Sequence, residues 1–235
     1  MDKNKIEELN QELQNYSAED ILRYCVEKLN AKICFATSLG AEDQVISSMI
    51  YEGKLEQIDV FTLDTGRMFQ ETYDVLERTI ARYKKSIEVV FPDKKEVEDL
   101  VNAKGINLFY QSIENRKACC QIRKTNPLQR KLANYDAWIV GLRREQSITR
   151  SDLQIVEWDE MHSMIKINPL YNWTEKEVWE RIKSKQIPYN KLHNQGFPSI
   201  GCAPCTRAIE KGEDIRSGRW WWELPEQKEC GLHKS

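Results

Sequence analysis

Three short apolar runs, each closed by turn residues and each followed by apolar residues at helical spacing, restrict this chain more than any other feature. Lys32-Ile33-Cys34-Phe35-Ala36-Thr37 is closed by Ser38-Leu39-Gly40-Ala41-Glu42-Asp43, after which Val45, Ile46, Met49 and Ile50 mark a helix face. The unit recurs. Ile58 to Leu63 leads through Asp64-Thr65-Gly66-Arg67 to Phe69, Tyr73, Leu76 and Ile80, and Ser86 to Phe91 leads through Pro92-Asp93 to Val97, Leu100 and Val101. A fourth run, Ala137-Trp138-Ile139-Val140, precedes the loop Gly141 to Ser147. Strands of this length alternating with helices predict an α/β fold, a parallel sheet with helices on both faces.

The flanking segments add helices and a hairpin. Ile6, Leu9 and Leu13 form one stripe, and Ser17 followed by Asp20 restarts a helix through Ile21, Leu22, Cys25 and Leu29. A helical region from about Ile106 to Ala133 is expected to be interrupted near Pro127. Gln154 to Trp158 and Met164 to Ile167 read as a hairpin, and Thr174-Glu175-Lys176-Glu177 as a capping box. Gly196 to Gly201 then brings Cys202 and Cys205 into a turn. Beyond Gly212 there is no clear period, and the final dozen residues read as a mobile tail. With 235 residues the chain suits one domain over residues 1–220 and a tail over 221–235.

Ligands of an open parallel sheet bind beyond the carboxyl ends of its strands, where the three loops Ser38–Asp43, Asp64–Arg67 and Gly141–Ser147 fall together. The first opens a helix, whose N–H groups suit an anion. Together the three point to a nucleotide-like ligand. Arg143, Arg144, Arg150, Arg216 and Arg219 supply guanidinium forks for phosphate or sulfate, with Arg143 and Arg144 favoured because they follow a strand. The run Trp220-Trp221-Trp222 is read as packing, or as a lid over a purine beside Arg216 and Arg219. A balance of 35 basic and 37 acidic residues leaves no basic excess for nucleic acid. Neither an apolar leader nor a membrane-length run is visible, so a cytoplasmic location is expected.

Seven cysteines remain to be placed. Cys25 and Cys34 sit in apolar company and read as buried small hydrophobes. Cys119-Cys120 and Cys202-Ala203-Pro204-Cys205 are read as a metal or cluster site before disulfides. Adjacent helical sulfurs point about 100° apart, which suits a 4Fe-4S cube ahead of zinc, with a vicinal disulfide last. Arg116, Lys117, Arg123 and Lys124 would offset thiolate charge. Cys230, near Lys228 and His233 in a glycine-containing segment, is a candidate nucleophile.

The ordered set Thr37-Ser38-Leu39-Gly40-Ala41-Glu42-Asp43, Leu63-Asp64-Thr65-Gly66-Arg67, Cys119-Cys120 with Arg123-Lys124, Gly141-Leu142-Arg143-Arg144, Ser199-Ile200-Gly201-Cys202-Ala203-Pro204-Cys205-Thr206, Arg216 to Trp222 and Glu229-Cys230-Gly231-Leu232-His233 resembles the phosphoadenylylsulfate reductase family, and within it the adenylylsulfate reductases. The resemblance implies an adenine nucleotide alpha-hydrolase-like fold whose first loop is a PP-loop variant, departing from relatives in carrying Leu39 where Ser is frequent. It implies one 4Fe-4S cluster per subunit on Cys119, Cys120, Cys202 and Cys205, a feature of members that use adenylyl sulfate rather than its 3'-phosphorylated form.

For substrate binding the resemblance implies Ser38, Gly40, Glu42 and Asp43 in the first loop, and Leu63, Asp64, Gly66 and Arg67 in the second. Gly141, Arg143, Arg144 and Arg150 would join from the third, with Arg216, Arg219 and Trp220 from the late segment. Cys230, His233 and Lys124 would be catalytic. The implied reaction, in sulfate assimilation and cysteine biosynthesis, is reduction of adenylyl sulfate to sulfite and AMP through an S-sulfocysteine. Thioredoxin or a glutaredoxin-type dithiol would be the reductant, and the enzyme a homo-oligomer. Three alternatives are a reductase that also or mainly uses the 3'-phosphorylated form, an ATP-using tRNA sulfur-transfer enzyme, disfavoured by Leu39-Gly40-Ala41-Glu42-Asp43 and the lack of basic excess, and a metal-stapled binding module without catalysis.

Overall fold

The computed structural model describes residues 3–146 and 150–224. Six strands form one sheet: β1 Ile33–Thr37, β2 Ile58–Leu63, β3 Glu88–Val90, β4 Ala137–Ile139, β5 Val156–Asp159 and β6 Met164–Ile167. Their spatial order is β3-β2-β1-β4-β6-β5. Every neighbouring pair is parallel except β5 and β6, which form the expected hairpin with Val156 opposite Ile167. The order reverses at β1, which has β2 on one side and β4 on the other. A crevice therefore opens beyond the carboxyl ends of these strands, the position at which such sheets bind ligands.

Alternation along the strands divides the core between the two faces. Ile33 and Phe35 of β1 pack with Ala137 and Ile139 of β4 in one cluster, whereas Cys34 and Trp138 belong to a second. Both faces are thus apolar and covered, as parallel strands require. Helices α1 Lys3–Leu13, α2 Ala18–Lys28, α3 Ala41–Glu52, α4 Gln70–Tyr83, α5 Lys94–Lys104, α6 Ile113–Cys120, α7 Asn126–Leu132 and α8 Glu175–Ser184 supply the cover. Ser17 caps α2 by accepting from the Asp20 amide, and Thr174 with Glu177 forms a complete capping box on α8. Among the described residues no helix is long and apolar enough to cross a membrane.

The edge strand β5 is closed by a side chain. Asn10 of α1 donates from Nδ2 to the Val156 carbonyl at 2.8 Å and accepts from the Val156 amide at 3.0 Å. One carboxamide thus satisfies both edge groups that another strand would otherwise seek.

The helical region before β4 departs from expectation. Its irregularity is a π turn over Gln121–Thr125, directly after Cys120, where the Asn126 amide donates to the Gln121 carbonyl. Pro127 lies in the first turn of α7 and interrupts nothing. A proline there lacks an N–H that has no intrahelical partner anyway, whereas a π turn inserts a residue and re-aims the side chains that follow. Those side chains include Arg123 and Lys124.

Candidate functional site

A cavity of about 950 Å³ fills the crevice. Its floor is the ends of β1, β2 and β4, including Thr37, Thr62, Leu63 and Val140, and α8 contributes a wall through Val178, Trp179 and Ile182. Of the sequence-derived substrate residues, Ser38, Gly40, Glu42, Asp43, Leu63, Gly141, Arg143, Arg150, Arg216 and Arg219 line it, as does Lys124.

The first loop is held from within. Leu39 adopts φ 62°, and its amide donates to Thr37 Oγ1 at 3.1 Å. Ser38 donates to Asp43 Oδ2 twice, from its amide and its hydroxyl, each at 2.6 Å. The Gly141 backbone also donates to Asp43. This carboxylate therefore ties the β1 loop to the β4 loop. Burial pushes its pKa from 3.8 up to about 6, against the lowering by the Ser38 hydroxyl and amide. The approach at Gly141 is so close that a Cβ there would lie 2.1 Å from Asp43 Oδ1.

Arg143 is buried, and its fork is already engaged. It bonds Glu42 Oε1 at 2.9 Å, Glu145 Oε2 at 2.9 Å and the Trp173 carbonyl at 3.3 Å. Gln146 reaches the same Glu42 oxygen at 2.9 Å. Arg144 does not line the cavity: its Nε donates to the Leu153 carbonyl at 2.8 Å and its guanidinium stacks on Tyr171. The two arginines favoured by their post-strand position are thus committed to protein partners. Those on the cavity wall away from that strand end are Arg150, Arg216 and Arg219. Arg219 hydrogen-bonds Ser199 Oγ at 3.3 Å and the Ile200 carbonyl at 3.4 Å, with its Nε buried and without a hydrogen-bond partner among the described residues.

The second loop divides between two sites. Asp64 accepts from the Gly66 amide at 2.7 Å and from the Tyr73 hydroxyl at 2.9 Å, shaping a turn in which Gly66 takes φ 70°. Neither Asp64 nor Gly66 reaches the cavity wall, although Thr65 does. Arg67 lies instead on a smaller cavity, over the Phe109 ring and bonded to Asn107 Oδ1.

That smaller cavity collects Cys119, Cys120, Cys202 and Cys205, with Arg67, Arg116, Arg123 and Lys124 around them. Among the described residues none of the four is joined in a disulfide, and Thr65 Oγ1 stands 3.3 Å from Cys202 Sγ. Burial pushes the Cys205 thiol up to about 12 and raises that of Cys119, the latter opposed by Arg123. Of the cations flanking Cys119-Cys120 in sequence, Lys117 is exposed and does not line the cavity. Arg116 is neutralised by Glu223 in a buried pair at 2.9 and 2.7 Å. Arg123 donates to the Thr65 carbonyl at 2.7 Å. Among the described residues no group of three or more His, Cys, Asp or Glu side chains is gathered to hold a single metal ion. Four thiols thus line one cavity with no imidazole or carboxylate beside them, a soft donor set. Lys124 and Cys202 line both cavities and form their common wall.

Trp220 is packed rather than poised over a ligand: it is 1% exposed, belongs to the apolar cluster around Cys119 and Cys205, and does not line the large cavity. Several contributors carried no local signal in the sequence. Glu223 and Thr65 act on partners far away in the chain, Arg116 and Cys202, and Tyr73 reaches back from α4 to Asp64. His193, on the cavity wall and edge-on to Trp179, has its pKa lowered by burial and a buried Nε2 without a partner among the described residues. Cys230 and His233 lie outside the described residues.

Comparison with known proteins adds relatives to this geometry. Residues 32–208 match the family model of the phosphoadenosine phosphosulfate reductase domain. The adenosine 5'-phosphosulfate reductase of Allochromatium vinosum is 54% identical over 202 residues, covering 86% of this chain and 78% of that protein. The enzyme of the same name from Burkholderia cepacia is 50% identical over 202 residues, covering 86% and 80%. Among solved structures, a phosphate complex of phosphoadenylyl-sulfate (PAPS) reductase from Candida auris superposes with a TM-score of 0.77 at 28% identity, over 89% of this chain and 98% of that one.

Proposed function

The chain belongs to the phosphoadenosine phosphosulfate reductase domain family, and on that premise we propose that it reduces adenylyl sulfate to sulfite and AMP in assimilatory sulfate reduction leading to cysteine. Two relatives identical to it at half or more of the aligned positions bear the name adenosine 5'-phosphosulfate reductase. The observation that carries the reading in the structure is the common wall: a nucleotide-sized cavity at the switch point meets a four-thiol cavity across Lys124 and Cys202.

The substrate anion lies among Lys124, Arg150, Arg216 and Arg219, while the adenosine occupies the strand ends near Thr37 and Leu63. Cys119, Cys120, Cys202 and Cys205 would hold a 4Fe-4S cluster, which when bound supplies a fixed charge beside the anion site without carrying electrons. Cys230 is the nucleophile, with Lys228 and His233 close in sequence to favour its thiolate. Its sulfur attacks the sulfur of the phosphosulfate, the S–O bond to phosphate breaks, and the electron pair leaves on the phosphate oxygen of AMP. The cations stabilise that developing charge. A dithiol of thioredoxin or glutaredoxin type then attacks Sγ of the S-sulfocysteine. Sulfite departs with the bonding pair, the second reductant thiol displaces Cys230 from the mixed disulfide, and the reductant is left oxidised. Chemistry that turns on a reduced thiol and a reduced dithiol places the enzyme in a reducing compartment, the cytoplasm.

Sulfite release is measured anaerobically with reduced thioredoxin, from adenylyl sulfate and from its 3'-phosphorylated analogue. The expected result is turnover of the former and at least tenfold lower kcat/KM for the latter. No sulfite from either would overturn the assignment. Cys230→Ser should abolish release while leaving the iron–sulfur absorbance in place.

A further inference from the structure

We propose that Glu223 is a positioning residue for the substrate anion, acting through Arg116 and Trp220 on Arg219; this rests on the reductase reading above. The Glu223 and Arg116 side chains are 3% and 1% exposed and meet through two charge-assisted bonds, Nε to Oε1 at 2.9 Å and Nη2 to Oε2 at 2.7 Å. A buried pair of this kind fixes geometry strongly, because either member left alone is an uncompensated charge.

What the pair fixes is an indole. The Arg116 guanidinium lies 4.7 Å from the Trp220 ring centroid and that of Arg219 lies 4.9 Å from the same ring. Two cations on one ring repel each other unless one is neutralised, and Glu223 neutralises Arg116. Trp220 itself sits at φ 42°, a strained backbone state for a bulky residue that persists only where its surroundings dictate it. Three bonds around it supply that constraint: Trp220 amide to Cys205 carbonyl at 3.1 Å and Arg207 amide to Gly218 carbonyl at 3.0 Å, which together make the bridge between Thr206 and Arg219, and Glu223 amide to Trp220 carbonyl at 2.8 Å. The result is that Trp220 packs in the thiol-site cluster while its neighbour Arg219 lines the nucleotide cavity.

Arg219 is also gripped from below. A Cβ at Gly201 would lie 2.3 Å from its Nη2, so the arginine passes directly over bare backbone just before Cys202. With Arg219 held between the indole and this backbone, its anion-facing donors are set before substrate arrives, which lowers the ordering cost of binding.

The test is AMP binding by calorimetry to the anaerobically purified holoenzyme, comparing wild type, Glu223→Gln, Arg219→Gln and the double variant. Glu223→Gln keeps the shape and removes the charge. It should weaken AMP binding about tenfold, and the same substitution should weaken it less than twofold when Arg219 is already Gln. Loss of folded protein alone would lower the number of binding sites and leave Kd unchanged, and that pattern overturns the proposal. So does wild-type affinity in Glu223→Gln, or losses that simply add in the double variant. If Glu223→Gln is not recovered folded, Glu223→Asp carries the same cycle, since it retains the charge but shortens the reach. Sulfite release by the wild type is followed in parallel: its absence, with the AMP cycle as expected, sinks the reductase reading and leaves Glu223 as the positioner of an anion site.

Discussion

Two glycines show how single residues set the site. Gly201 and Gly141 are needed for close approach rather than for unusual backbone angles: side-chain atoms of Arg219 and Asp43 occupy the space a Cβ would take. Gly201→Ala should push Arg219 off its seat and raise KM for adenylyl sulfate at least tenfold, and steady-state kinetics alongside a melting curve separates that from general destabilisation. Gly141→Ala meets a carboxylate that cannot retreat from Ser38, so a loss of about 1–3 kcal/mol is expected on overpacking grounds, read by denaturant unfolding. Asp43 adds a pH dependence. Its pKa in the folded chain is raised to about 6, above the ordinary 3.8. The folded state therefore binds the proton more tightly, and the contribution of Asp43 to stability is present below about pH 4 and is lost as pH rises through about 6. Asp43→Asn should flatten that part of the stability–pH curve, and an unchanged curve would show that the carboxylate is not so perturbed.

At the level of elements, the strands were legible because burial on alternating faces imposes a period that the residues carry locally. β2 spans Ile58–Leu63 as expected, and the hairpin and both caps follow from short-range pattern. The π turn was not legible, since Gln121–Thr125 reads as ordinary helix and proline is the louder signal. Its effect is to set Arg123 toward the Thr65 carbonyl and Lys124 on the wall between the cavities. The Asn10 closure of β5 was equally invisible, because its partner is 146 residues away. Asn10→Ala should cost about 1–3 kcal/mol by leaving buried edge groups unpaired, with faster amide hydrogen exchange at Val156 as the local readout.

Across the whole molecule, the two cavities are built from distant segments: Cys119 and Cys120 end α6, while Cys202 and Cys205 flank a turn some eighty residues later. If a cluster joins them, removing its iron with a chelator under oxidant should lower the melting temperature and expose Cys202 to alkylation, assayed by mass spectrometry; unaltered melting would argue that the four thiols hold nothing structural. From the sequence alone came the strand–loop–helix repeat, the three loops at the strand ends, the four-cysteine set and the family, all of them properties of local period and ordered motif. What each arginine is bonded to was decided only by tertiary structure. Arg143 and Arg144 look available along the chain, yet Glu42 lies across the crevice from one and Leu153 and Tyr171 engage the other, while Arg219 is set in place by the buried pair of Arg116 with Glu223, 107 residues apart. Charge is a property of a residue, but its availability depends on what the fold brings within hydrogen-bonding distance.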